Sequence, residues 1–171
     1  MKNIAIVGFM GTGKTTIARI LAKRLNAELV DLDALIENKA GMKIVDIFAK
    51  KGEDYFRKLE SKMVADICDR KNQVIAGGGG VVINAANITN LRKNGIIICL
   101  RARPDVILSR TKKYSQRPLL NVPNPEEKIA QLLTQRESYY EKSDFFIDTS
   151  ELTVNQVVDK IIDLINTKTK N

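Results

Sequence analysis

Residues 4–16, IAIVGFMGTGKTT, constrain this chain more than any other stretch. They contain Gly8-Phe-Met-Gly-Thr-Gly13-Lys14-Thr15, a match to the G-x-x-x-x-G-K-[ST] pattern of phosphate-binding loops. Four apolar residues lead in (Ile4, Ala5, Ile6, Val7). Apolar residues at helical spacing follow (Ile17, Ile20, Leu21, Leu25). A buried strand, a glycine loop and a helix in that order make a cradle for a nucleoside triphosphate. Gly8, Gly11 and Gly13 are expected at positive φ, which turns backbone N–H groups toward phosphate oxygens. The helix beginning near Lys14 adds the partial positive charge of its dipole. The expected ATP contacts are therefore Gly11, Thr12, Gly13, Lys14, Thr15 and Thr16. Lys14 would reach the β- and γ-phosphates, and the Thr15 hydroxyl would ligate Mg²⁺.

Beyond the loop, strand patterns alternate with helix patterns. Strands are expected at 2–7, 27–31, 73–77, 95–100 and 145–148. Helices are expected at 14–25, 33–40, 43–50, 53–70, 84–93, 104–112, 125–141 and 153–166. Short apolar strands between amphipathic helices predict an α/β fold, a parallel sheet covered on both faces. With 171 residues the chain is expected to be one domain. Residues 112–125 hold three of the four prolines without periodicity, and are expected to form a mobile loop.

Composition removes several chemistries. Histidine is absent, which excludes Ser-His-Asp, Cys-His and His-ligated zinc schemes and leaves carboxylates, Lys, Tyr or Cys as proton acceptors. The formal charge of +8 is spread along the chain with acids interleaved, so no nucleic-acid partner is expected. No apolar run approaches a membrane span, and no signal peptide is expected before the first strand. Cys68 and Cys99 are expected as buried free thiols in a reduced cytoplasm.

Ligands of an open parallel sheet gather at the carboxyl ends of its strands. After strand two stand Asp31 and Asp33, which would share a side if the strand ran through both. They could hold a metal-bound water or take a proton, or Asp33 could cap the following helix. Strand three lacks a terminal Asp, so Asp31 is the best substitute metal ligand. Four glycines, residues 77–80, follow strand three and suggest either bare backbone against a ligand or a tight turn. After strand four come Arg101 and Arg103. Arg57, Arg110, Arg117 and Arg136 could be surface charges or bidentate clamps for carboxylate and phosphate.

Taken in order, these segments resemble the shikimate kinase family over essentially the whole chain. GFMGTGKTTIARILAKRL resembles its phosphate loop and first helix, DLDALIE its DxD segment and IFAKKGEDYFRKLE its GE-x-x-FR-x-x-E segment. VIAGGGG resembles its glycine triplet, RTKKYSQRPLL its lid and QRESYYEKSDFFIDT its closing Arg…Tyr…Asp-Thr segment. The resemblance implies a three-layer α/β/α fold with a five-stranded parallel sheet. That is a P-loop kinase of the nucleoside-monophosphate-kinase type, with an acceptor segment at 33–62 and a lid at 112–125. It implies transfer of the ATP γ-phosphoryl to the 3-hydroxyl of shikimate, with Mg²⁺. Asp33 would be the base, with Lys14 and Arg117 as the other catalytic groups. Arg57 and Arg136 would grip the shikimate carboxylate in a pocket lined by Gly78, Gly79 and Gly80. Arg110 would lie against adenine, Asp31 would organise magnesium water and Glu60 would support Arg57. Ala18, Gly77, Tyr114 and Ser138 depart from the family's usual residues.

The rival readings are a gluconate or nucleoside-monophosphate kinase and a nucleotide-dependent, nucleic-acid-binding module. The expected partners are ATP and shikimate alone, with a monomer and no membrane.

Overall fold

A computed structural model describes residues 1–111 and 122–168. Five parallel strands form one sheet: β1 (Asn3–Gly8), β2 (Glu28–Asp31), β3 (Gln73–Ala76), β4 (Gly95–Arg101) and β5 (Phe145–Asp148), in the order β2-β3-β1-β4-β5. The eight helices among the described residues are α1 (Lys14–Leu25), α2 (Leu32–Ala40), α3 (Ile44–Lys51), α4 (Glu53–Cys68), α5 (Ala85–Lys93), α6 (Pro104–Thr111), α7 (Pro125–Tyr140) and α8 (Val154–Lys168). Each expected element is present within two residues of its expected ends. A 3₁₀ turn (Val81–Ile83) was not among the expected elements, since three β-branched residues in a row carry no helical signal.

The period of two in β1 sorts the core. Ile4 and Ile6 point to one face of the sheet, where α1 and α8 cover them through Leu21, Val158 and Ile161. Ala5, Val7 and then Phe9 point to the other face, under Ile36, Val64, Ile107 and Ile129. Two apolar layers therefore clamp the central strand, and the sheet is the middle of three layers. Register fixes Ile6 beside both Ala76 and Ile98, so the segment that follows β3 and the end of β4 flank the loop that starts at Gly8.

Cys68 and Cys99 are free and buried, and burial pushes each thiol up to about 11, so both are protonated and inert at neutral pH. Among the described residues no helix is long and apolar enough to cross a membrane.

Candidate active site

The phosphate loop begins where β1 ends. Gly8, Gly11 and Gly13 stand at φ 140°, 77° and 92°, all positive as expected. Gly13 is decisive. Its left-handed backbone turns the chain into α1 with no side-chain cap, so the first N–H groups of that helix stay directed at the loop's hollow. The Phe9 carbonyl ties the loop from inside, accepting from Lys14 Nζ at 2.9 Å and from Thr12 Oγ1 at 2.7 Å. The loop opens onto a cavity of about 1010 Å³ that Gly11, Gly13, Lys14, Thr15 and Thr16 line. Thr12 does not line it. It is buried with its hydroxyl turned inward, so only its backbone could serve a nucleotide.

β2 stops at Asp31 and α2 starts at Leu32, so Asp31 and Asp33 are not a same-side strand pair. Asp31, not Asp33, is the helix cap, accepting from the Ala34 N–H at 3.2 Å. Asp33 instead stands in the first helical turn, and both carboxylates line the cavity.

The 77–80 run explains its own glycines. None of the four has positive φ, so at Gly77, Gly78 and Gly80 close approach and not backbone conformation demands the glycine. A Cβ on Gly78 would lie 2.9 Å from Asp33 Oδ1 and 3.2 Å from Glu60 Oε1. One on Gly80 would lie 2.5 Å from Arg57 Nη2, and one on Gly79 would lie 3.8 Å from Arg136 Nη1. Two guanidinium groups and two carboxylates thus converge on bare backbone.

Each arginine is aimed by neighbours. Arg57 donates from Nη1 to Glu60 Oε2 at 2.9 Å and from Nε and Nη2 to Glu53 Oε1 at 3.2 Å. Among the described residues one N–H on Nη1 and one on Nη2 are then left over, which is a fork for a carboxylate. Burial raises the pKa of Glu60 above the ordinary carboxylate range against the pull of Arg57, with Asp33 and Glu53 adding to the rise. Arg136 stacks over the Phe9 ring at 5.6 Å, which joins the acceptor wall to the phosphate loop. Arg110 donates to Thr149 Oγ1 at 2.9 Å and to the Thr149 carbonyl at 2.7 Å, and is held at the cavity rim beside Gly11. Arg117 and Tyr114 lie outside the described residues, as does most of the expected lid.

Arg101 and Arg103 turn away from this cavity. Arg101 stacks on Phe146 at 4.1 Å, and Arg103 pairs with Asp105 and Glu151 at the surface. Sequence reasoning missed Phe48 and Phe56, whose rings stand 4.8 Å apart in the cavity wall, and Arg19 and Ser109 on its rim. Arg19 follows Thr15 by one helical turn, a spacing that could have marked it.

The family model for shikimate kinase matches residues 10–166. This chain belongs to the shikimate kinase family. The shikimate kinase of Thermoanaerobacter pseudethanolicus is 51% identical over 162 residues, which is 95% of each chain. That of Thermodesulfovibrio yellowstonii is 51% identical over 95% of this chain and 94% of its own. Among solved structures, shikimate kinase from Acinetobacter baumannii in complex with shikimate superposes with a TM-score of 0.92 at 39% identity, covering 98% of this chain and 94% of that one. Shikimate kinase from Aquifex aeolicus gives 0.85 at 32% identity over 98% of both. The fold is the P-loop, nucleoside-monophosphate-kinase-like one of these enzymes. Of the departures from the shikimate kinase pattern, Ala18 is fully buried under the sheet and Ser138 is exposed. Gly77 has a packing reason, since a Cβ there would meet Val81 Cγ1 at 3.0 Å.

Proposed function

We propose that this protein transfers the γ-phosphoryl of ATP to the 3-hydroxyl of shikimate, giving shikimate 3-phosphate and ADP. The reading is carried by one observation: Arg57, Arg136 and Asp33 meet at residues 78–80 inside the same cavity that the phosphate loop opens into. A small hydroxylated carboxylic acid fits that arrangement. Its carboxylate takes the guanidinium forks, its ring lies against Gly78, Gly79 and Gly80, and one hydroxyl is left facing Asp33 and the phosphates. The shikimate-bound relative from Acinetobacter baumannii supports the same acceptor.

Asp33 takes the proton as the O–H bond breaks and the new O–P bond forms, and the bond from the γ-phosphorus to the ADP oxygen breaks. Lys14 balances charge on the β- and γ-phosphates, while loop and helix N–H groups hold them in line. Arg110 faces adenine from the rim, and Arg117 descends with a lid at 112–125. The acceptor segment is 33–62, within a single domain of residues 1–171.

Magnesium fits the donor set. Mg²⁺ in phosphoryl-transfer sites keeps several waters and takes one or two protein oxygens besides the phosphates. Thr15 Oγ1 and, through water, Asp31 would supply these, since both line the cavity and the capping role of Asp31 uses Oδ1. When bound, the ion neutralises charge on the β- and γ-oxygens. Among the described residues no cluster of three His, Cys, Asp or Glu exists, and such a site needs none. The reading needs no group from a second copy, and it is completed by a monomer in the cytoplasm, where ATP is available and the thiols stay reduced.

A phosphorylation assay across shikimate, gluconate and nucleoside monophosphates tests this reading. Turnover is expected with shikimate alone; turnover of another acceptor without shikimate would reassign the substrate. Asp33→Asn in the same assay should lower kcat on the order of 10²–10⁴-fold with ATP binding kept.

A further inference from the structure

Tyr140 ends α7 one helical turn after Arg136, so both side chains leave the same face of that helix. It is 5% exposed, and its hydroxyl donates to the Gly79 carbonyl at 2.7 Å. Phosphoryl transfer as described makes no use of this phenol. Burial pushes it up to about 12, so it stays a protonated donor across the neutral range.

The Gly79 carbonyl is a weak point without it. β3 has ended at Ala76, and glycine peptide units rotate with little steric resistance. The neighbouring carbonyls are held by backbone, Gly78 by the Val81 N–H at 3.3 Å and Gly80 by the Ile83 N–H at 3.0 Å. Gly79 is held by Tyr140. The peptide joining Gly79 to Gly80 is trans and planar, so its C=O and N–H point to opposite sides. With Phe9 and Thr12, Tyr140 lines a separate hollow of about 330 Å³. Gly80 itself lines the large cavity beside Arg57. Among the described residues no acceptor takes the Gly80 N–H.

The geometry points to Tyr140 as a positioning residue: by holding the Gly79 carbonyl it turns the Gly80 N–H toward the acceptor and locks the glycine segment to the helix that carries Arg136. This rests on the shikimate reading of the cavity. The phenol touches neither substrate, and acts by removing the rotation that would otherwise swing one hydrogen-bond donor out of the pocket.

Tyr140→Phe keeps the ring and deletes the donor. The KM for shikimate should rise about tenfold, in line with a buried carbonyl left unpaired, while the KM for ATP and kcat stay within about twofold. Wild-type turnover of shikimate, measured first, separates the two claims: its absence overturns the functional reading and the inference with it. A variant whose shikimate KM matches wild type, or whose two KM values rise together as its melting temperature falls, leaves Tyr140 a structural brace and overturns the inference alone. A second measurement does not depend on the variant folding. In wild-type protein labelled at glycine, the Gly80 amide resonance should shift on adding shikimate without nucleotide; an unmoved Gly80 signal at saturating shikimate overturns the assignment.

Discussion

Glu60 is 1% exposed, with one carboxylate oxygen on Arg57 at 2.9 Å and the other, Oε1, unpaired among the described residues and turned toward Gly78. Its pKa is raised because burial outweighs the arginine, so the folded state resists ionisation that the unfolded chain undergoes near 4.5. The sign follows. Below that value the carboxyl is neutral in both states; as pH rises through it the folded state holds the extra proton, and stability falls until the folded pKa is passed. Glu60→Gln keeps an acceptor for Arg57 and removes the titration. Urea unfolding from about pH 4 to pH 7 should therefore show the variant gaining stability relative to wild type as pH rises. A difference independent of pH would mean that Glu60 titrates normally. The charge is kept because it aims Arg57: a fork without that anchor would lose side-chain order, the cost that preorganisation removes from binding.

At the scale of elements, the 77–80 run is the hinge of the site, and its members are not equivalent. Gly78 and Gly80 leave no room for a methyl beside Asp33 and Arg57, whereas Gly79 meets nothing nearer than Arg136 Nη1 at 3.8 Å, Gly8 O at 3.9 Å and Met10 N at 4.0 Å. A methyl there would stand between the arginine and the phosphate loop, in the space meant for the acceptor. Gly79→Ala should fold with a melting temperature within about 2 °C of wild type and raise the KM for shikimate at least about tenfold; an unchanged KM would place the acceptor elsewhere. How far such detail could be read in advance depends on how local its cause is. The phosphate loop was legible because positive φ at Gly8, Gly11 and Gly13 is a demand each residue states by itself. Asp31 and Asp33 were found, and β2 ends at Asp31 as expected; α2 begins one residue earlier than expected, at Leu32, which makes Asp31 the cap and Asp33 a first-turn carboxylate. The Tyr140 bond to Gly79 spans 61 positions and follows from packing alone, so no spacing announces it. Arg101 and Arg103 were legible only as cations; what directs them, Phe146 and Glu151, belongs to other elements.

Across the whole molecule, the nucleotide half and the acceptor half are tied at Phe9. Its ring is buried in the core beneath Arg136, and its carbonyl holds both Lys14 and Thr12. The loop is therefore anchored in the folded core, and a triphosphate filling it should stabilise the entire domain. Saturation at about a hundred times Kd contributes about 2.7 kcal/mol, which for a chain of this size raises the melting temperature on the order of 5–10 °C. Lys14→Ala removes one ammonium from the cavity and leaves the glycines, the helix start and both apolar layers as they are. The variant should melt within a few degrees of wild type without ligand, show almost none of the Mg·ATP-induced rise and lack shikimate turnover. A variant that kept both the rise and the turnover would separate this loop from nucleotide binding. One that unfolded without ligand would make Lys14 a strut of the loop, since its Nζ already bridges to Phe9. Scanning calorimetry with and without Mg·ATP distinguishes these outcomes, because a lost strut lowers the unliganded melting temperature and a lost ligand contact lowers only the liganded one.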